Sequence, residues 1–255
     1  MAIMTDRWLI RWQPRTEPAL RLICFPYAGG GPALFRTWPQ ALPPQAEVCA
    51  VQLPGRGARF TEPPFTSMDE LLPALADGLA PFLDRPYVTF GHSLGGIISF
   101  ELVRFLRAKN LGQPELMIIS GCRAAQAPRS GPRIHDLPTA EFRAELRRIN
   151  GTPQEVLEDE GLLEVVEPMV RADMALGERY LHLPEPPLDV PMSVVHGSAD
   201  ATVTRAAAEA WHEQTTGEFV VREVPGDHFF IHDAEADLLP LVRESLRPWV
   251  LPSPR

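Results

Sequence analysis

A chain of 255 residues, 45% of them hydrophobic and 22% charged, has the apolar material for a large core and is not mainly disordered. Its formal net charge of −9 argues against a general nucleic-acid binder, because phosphate backbones reward clusters of Lys and Arg, and gives no pull towards an anionic membrane surface. Cys24, Cys49 and Cys122 are odd in number, widely spaced and without a CxxC pair, so buried free thiols in a reducing compartment are expected rather than a disulfide framework.

The opening MAIMTDRWLIRWQPR lacks the long apolar run of a signal peptide. No stretch approaches about 18 uninterrupted apolar residues, so a cytoplasmic protein with no membrane span is expected. Trp8–Trp12 reads as an edge strand and Leu20–Phe25 as the first buried one. Pro26-Tyr27-Ala28-Gly29-Gly30-Gly31-Pro32 follows, with small residues that let backbone come close to a ligand. It is neither a dinucleotide turn, since G-x-G-x-x-G is absent, nor a phosphate loop, since no Gly-Lys-Ser/Thr follows. Val48–Leu53 is the next strand, running into a Pro/Gly-rich loop that carries Arg56 and Arg59. Ser67 and Glu70 form a capping box ahead of a helical repeat through Leu71, Leu75, Leu79 and Leu83, with Pro73 obscuring where the helix starts.

Tyr87–Phe90 is a strand, Gly96–Arg107 an apolar helix, and Leu116–Ser120 another strand. From about Arg123 to Leu183 only helical patterns appear, over Pro138–Ile149, Gln154–Asp159 and Leu162–Tyr180. Val190–His196 and Phe219–Val224 restore the strands, with helices predicted at Thr204–Gln214 and Ala234–Leu246. Strands alternating with helices imply a parallel sheet. The predicted fold is α/β, with a mostly parallel central sheet flanked by helices. Its core is 1–122 and 184–255, and 123–183 is a helical cap, or lid, inserted over the sheet's carboxyl edge, where such sheets place ligands.

The chemistry centres on Gly91-His92-Ser93-Leu94-Gly95, a G-x-S-x-G pentapeptide between strand and helix. That context sets a serine on a sharp turn with its hydroxyl projecting, while the glycines keep side chains out of the turn. Ser93 is therefore the predicted nucleophile, and it needs a base. On this scaffold the partners follow in the order Ser, Asp or Glu, His, each after a late strand. His228, after Phe219–Val224, is the predicted base, and Asp200, after Val190–His196, the acid that orients it. Asp227 adjoins His228 but points the other way along an extended chain, and Asp189 lies at the wrong end of the sheet. The competitor His232 would make a metal pair with His228 at i and i+4, but no Glu follows His228, so H-E-x-x-H fails and no metal is expected. The oxyanion donors are expected to be the backbone N–H of Leu94 and that of Ala28, with Tyr27 and Gly29 as alternatives to Ala28.

Phe25-Pro26-Tyr27-Ala28-Gly29-Gly30, Gln52-Leu53-Pro54-Gly55-Arg56, Gly91-His92-Ser93-Leu94-Gly95-Gly96, Gly197-Ser198-Ala199-Asp200 and Gly226-Asp227-His228-Phe229-Phe230 occur in one order over almost the whole chain. In this the sequence resembles the type II thioesterases, free-standing α/β-hydrolases that accompany polyketide synthases and nonribosomal peptide synthetases. The resemblance implies hydrolysis of acyl thioesters on the phosphopantetheine arm of acyl or peptidyl carrier proteins, clearing stalled or wrongly loaded chains. It implies Ser93, Asp200 and His228 as the triad and Ala28 and Leu94 as the oxyanion donors. It implies no metal or cofactor, since the phosphopantetheine belongs to the substrate. Tyr27, Met169, Met174 and Phe229 are candidate pocket residues, with ordinary helix packing the alternative for the two methionines. Arg143, Arg147 and Arg148 share a helical face that would suit an acidic carrier, though interleaved Glu141 and Glu145 equally fit a solvated helix. A medium-chain fatty-acyl thioesterase, a small-molecule serine esterase and a non-catalytic carrier-binding module are the competing readings.

Overall fold

A computed structural model describes residues 3–129, 131–149 and 151–250. Among these residues eight strands form one sheet in the order β1-β2-β4-β3-β5-β6-β7-β8. They are β1 (Met4–Thr5), β2 (Leu9–Arg11), β3 (Leu20–Phe25), β4 (Ala46–Val51), β5 (Tyr87–His92), β6 (Leu116–Ser120), β7 (Met192–Gly197) and β8 (Phe219–Val224). β1, β2 and β4 pair antiparallel, and every other pairing is parallel. The Trp8–Trp12 run therefore supplies the second strand and not the edge, which belongs to Met4–Thr5.

Side chains alternate across each central strand and so build a core on both faces. From β3, Leu22 and Cys24 join Val48, Phe90 and Ile118 on the face covered by the last helix. Ile23 and Phe25 point the other way, into a cluster with Leu71 and Leu75 of one helix and Ile98 and Leu102 of another. The one charged residue inside β3, Arg21, sits in register with Glu47 of β4 and donates to it at 3.1 Å, so the buried charges meet across the ladder.

The helices are α1 (Trp38–Ala41), α2 (Met68–Leu79), α3 (Leu94–Ala108), α4 (Thr139–Ile149), α5 (Gln154–Glu158), α6 (Glu160–Arg179), α7 (Arg205–Glu209), α8 (Phe230–Asp233) and α9 (Glu235–Val250). Ser67 caps α2, but its hydroxyl accepts from the N–H of Asp69 and not of Glu70, and the helix runs on through Pro73. Between β6 and β7 the described residues form only helices α4, α5 and α6. They carry a small apolar cluster of their own, with Ile134, Phe142, Leu146, Leu157, Leu163 and Val170. These helices are also rooted in the body: Leu176 of α6 enters the cluster beneath α2 and α3, and the Tyr180 hydroxyl donates to Glu101 of α3 at 2.6 Å.

Candidate active site

The carboxyl ends of β3, β5, β7 and β8 deliver the chemistry-bearing loops to one edge of the sheet. β5 ends at His92, and α3 starts at Leu94, leaving Ser93 as the single residue of the turn. Its φ of 53 and ψ of −118 lie in a region that a residue with a Cβ avoids. Two glycines make the turn possible. A Cβ on Gly91 would sit closer than 3.0 Å to the backbone of Gly95, and one on Gly95 as close to the backbone of Phe25. The Ser93 N–H donates to the carbonyl of Ser120 at 2.8 Å, locking the turn onto β6.

Around Ser93 the structure brings together the residues predicted from sequence. Its Oγ lies 2.9 Å from His228 Nε2, and His228 Nδ1 lies 2.8 Å from Asp200 Oδ2. A carboxylate only accepts, so the proton sits on Nδ1 and leaves Nε2 free to accept from the serine hydroxyl. The other carboxylate oxygen, Oδ1, accepts from the Thr202 N–H at 2.7 Å, the Thr202 hydroxyl at 2.7 Å and the Val203 N–H at 3.0 Å. Burial disfavours the Asp200 charge, but the hydrogen bonds from His228 and Thr202 outweigh it and hold the carboxyl down at about 2. Asp227 instead accepts from the N–H of Phe229 at 2.8 Å, closing its own turn. Asp189 contacts Thr216 ahead of β7, at the opposite end of the strand from Asp200.

On the other side of Ser93, Leu94 opens α3, and a first helical residue has no acceptor for its N–H within the helix. In the 26–31 loop the Gly30 N–H donates to the Tyr27 carbonyl at 2.9 Å, and the Gly29 N–H donates to Asp173 of α6 at 2.7 Å. The Gly29 N–H is thus already engaged within the protein. The line from Asp200 through His228 to Ser93, set against a tight glycine turn and a helix N-terminus, suits nucleophilic acyl transfer.

A family model for the thioesterase domain matches residues 20–246. The chain belongs to the thioesterase family. The gramicidin S biosynthesis protein GrsT of Aneurinibacillus migulanus is 37% identical to this thioesterase, over 95% of this chain and 94% of that one. The linear gramicidin dehydrogenase LgrE of Brevibacillus parabrevis is 39% identical, over 98% and 96%. Among solved structures, the type II thioesterase BorB from the borrelidin biosynthetic cluster superposes with a TM-score of 0.87 at 34% identity, covering 96% of this chain and 99% of that one. The α/β-hydrolase fold and a serine hydrolase acting on thioesters are what these likenesses establish for the thioesterase.

The part that His92 plays in its site was not legible beforehand. His92, the first variable position of the pentapeptide, is fully buried and touches both Ser120 Oγ and the His228 carbonyl at 2.9 Å. Since a carbonyl only accepts, His92 Nε2 carries the proton and Nδ1 accepts from Ser120. Burial and the neighbouring His228 push its pKa down to about 3. The Tyr27 hydroxyl meets His232 Nε2 at 2.9 Å, giving that competitor histidine a protein partner, and the Tyr27 ring stands edge-on to Phe229. Phe229 in turn stands edge-on to His228. Met169 seats over Gly55 beside Pro64, and Met174 packs with the apolar cluster of Phe142 and Leu163. Arg143 is tied to Glu160 at 2.5 Å and Glu167 at 2.7 Å, and Arg148 to Glu145 at 2.7 Å. Arg147 lies 3.7 Å from Glu160, so each of the three arginines has an acidic neighbour. Among the described residues no helix is long and apolar enough to cross a membrane, and no cluster of three or more His, Cys, Asp or Glu could hold a metal ion.

Proposed function

We propose that this thioesterase removes acyl groups from the phosphopantetheine arms of acyl or peptidyl carrier proteins, editing stalled or misprimed chains in polyketide or nonribosomal peptide synthesis. The observation that carries the mechanism is the hydrogen-bonded line Asp200–His228–Ser93, with contacts of 2.8 and 2.9 Å, at a strained turn. The relatives' names, from gramicidin and borrelidin biosynthesis, support the choice of substrate.

In this mechanism Ser93 Oγ attacks the thioester carbonyl carbon as its proton passes to His228 Nε2. Asp200 stabilises the imidazolium and keeps the tautomer. The N–H groups of Ala28 and Leu94 receive the oxyanion. The tetrahedral intermediate collapses, the C–S bond breaks, and the pantetheine thiolate leaves with the proton from His228. Water then attacks the acyl-Ser93 ester as His228 takes its proton; the C–Oγ bond breaks, His228 returns that proton to Ser93 Oγ, and the free acid departs. The cycle draws on side chains and backbone alone, with no metal or cofactor. We place it in the cytoplasm, a setting that suits the unpaired, buried Cys24, Cys49 and Cys122.

The test is release of the acid from acyl groups loaded on a carrier protein, comparing wild type with Ser93→Ala. Release by wild type alone supports the reading. A wild type that leaves the carrier loaded yet cleaves simple esters through Ser93 keeps the triad and overturns the carrier substrate.

A further inference from the structure

One buried ion pair has no part in the mechanism as written. Arg56, in the loop after β4, and Asp173, in the lid helix α6, are 7% and 1% exposed. They pair bidentately: Nη2 donates to Oδ1 at 2.6 Å and Nη1 to Oδ2 at 2.8 Å. The pair also grips backbone. Oδ2 accepts from the Gly29 N–H at 2.7 Å, and Nη1 donates to the Gly30 carbonyl at 2.6 Å. Burying two charges this deeply is costly, and an apolar pair of similar size would fill the space as well. It could not hold an N–H and a carbonyl at once.

The gripped groups belong to one turn. The Gly30 N–H donates to the Tyr27 carbonyl at 2.9 Å, closing residues 27–30. The Tyr27 carbonyl shares a rigid peptide plane with the Ala28 N–H, so whatever fixes that carbonyl fixes the direction of that donor. Asp173 fixes the next plane, at Gly29, and Arg56 the far end, at Gly30. Val170, just under one helical turn before Asp173, rests against the open face of Gly29.

We infer that Asp173 is a positioning residue: with Arg56 it clamps the 27–30 turn so that the Ala28 N–H is aimed at the tetrahedral intermediate, and the oxyanion hole is complete only while α6 is seated. The inference rests on the assignment of Ala28 as an oxyanion donor made above.

The experiment uses the full chain and a small activated ester whose turnover is lost in Ser93→Ala, so a failure of the carrier-protein reading leaves it standing. Two variants are compared with wild type: Asp173→Ala, and the apolar pair Arg56→Met with Asp173→Leu, which avoids a lone buried charge should the first not fold. The readouts are kcat, KM and the affinity of an alkyl boronic acid, whose tetrahedral adduct on Ser93 puts an oxygen in the hole. The expected result is a fall in kcat of about 10- to 100-fold and a matching fall in boronic-acid affinity, with KM within about threefold. A folded variant that keeps kcat and boronic-acid affinity within about threefold of wild type, or that loses only KM, overturns the inference: Asp173 would then serve lid packing alone.

Discussion

The buried ring of His92 donates through Nε2 to the backbone carbonyl of His228 at 2.9 Å. The residue next to the nucleophile thus holds the main chain of the base, which ties both halves of the hydrogen-bonded line to the end of β5. The ring is neutral at working pH, because burial beside His228 lowers its pKa to about 3. His92→Ala would leave Ser120 Oγ and the His228 carbonyl without this partner and open a cavity. We expect a loss of about 2–4 kcal/mol in urea unfolding and a fall in kcat of about tenfold or more. Unchanged turnover in a folded variant would contradict the positioning role.

Ser93 stores strain. Replacing it with glycine relieves a backbone conformation that costs on the order of 1–3 kcal/mol, less the flexibility glycine gains when unfolded. Ser93→Gly is expected to be inactive and about 1 kcal/mol more stable than wild type. Ser93→Ala is expected to be inactive without that gain, since it keeps a Cβ at φ 53. Denaturant titration of the three proteins side by side checks the ordering.

Asp200 couples catalysis to acid stability. Its carboxyl lies at about 2 when folded, against an ordinary value of 3.8. A depressed pKa contributes stability that is fully present above about pH 4 and is lost as pH falls towards 2, worth about 2 kcal/mol. The difference in unfolding free energy between wild type and Asp200→Asn should therefore shrink by about that amount from pH 5 to pH 2. A difference that stays constant would mean the carboxyl is not held down. At neutral pH the same variant should lose kcat by about 10⁴-fold, because an amide favours the wrong imidazole tautomer.

Gly95 is where α3 crosses the end of β3, and its missing Cβ admits the backbone of Phe25. Gly95→Ala has only main chain to displace. It should cost about 3 kcal/mol, the upper end of overpacking effects, and should lower kcat as the turn shifts. Gly112→Ala, where a Cβ meets nothing within 4 Å, is the control and should leave both unchanged within about 0.5 kcal/mol.

Much of this molecule was written in short-range pattern. Leu20–Phe25 and Tyr87–Phe90 are buried at every position and mostly apolar, so they stand out as strands whatever surrounds them. Ser93 is marked by its two glycines, and Asp200 and His228 by standing after late strands. Met4–Thr5 left no mark, because two exposed residues carry no periodicity. The helical face of Arg143, Arg147 and Arg148 fitted either an acidic partner or a solvated helix, and the sequence did not say that its nearest acids would be Glu160, Glu167 and Glu145.

The sequence by itself determined the alternation of strand and helix, the residue at the sharp turn and the order of its partners. Each follows from the period of a strand or helix and the steric demands of a turn, which act over a few neighbours. Only the tertiary structure decided that His92 would hold the main chain of His228, 136 residues away, and that Arg56 would meet Asp173 across 117 residues to grip the 27–30 turn. Such pairings depend on which buried polar group finds a complementary one once the sheet has closed, and no local pattern records that.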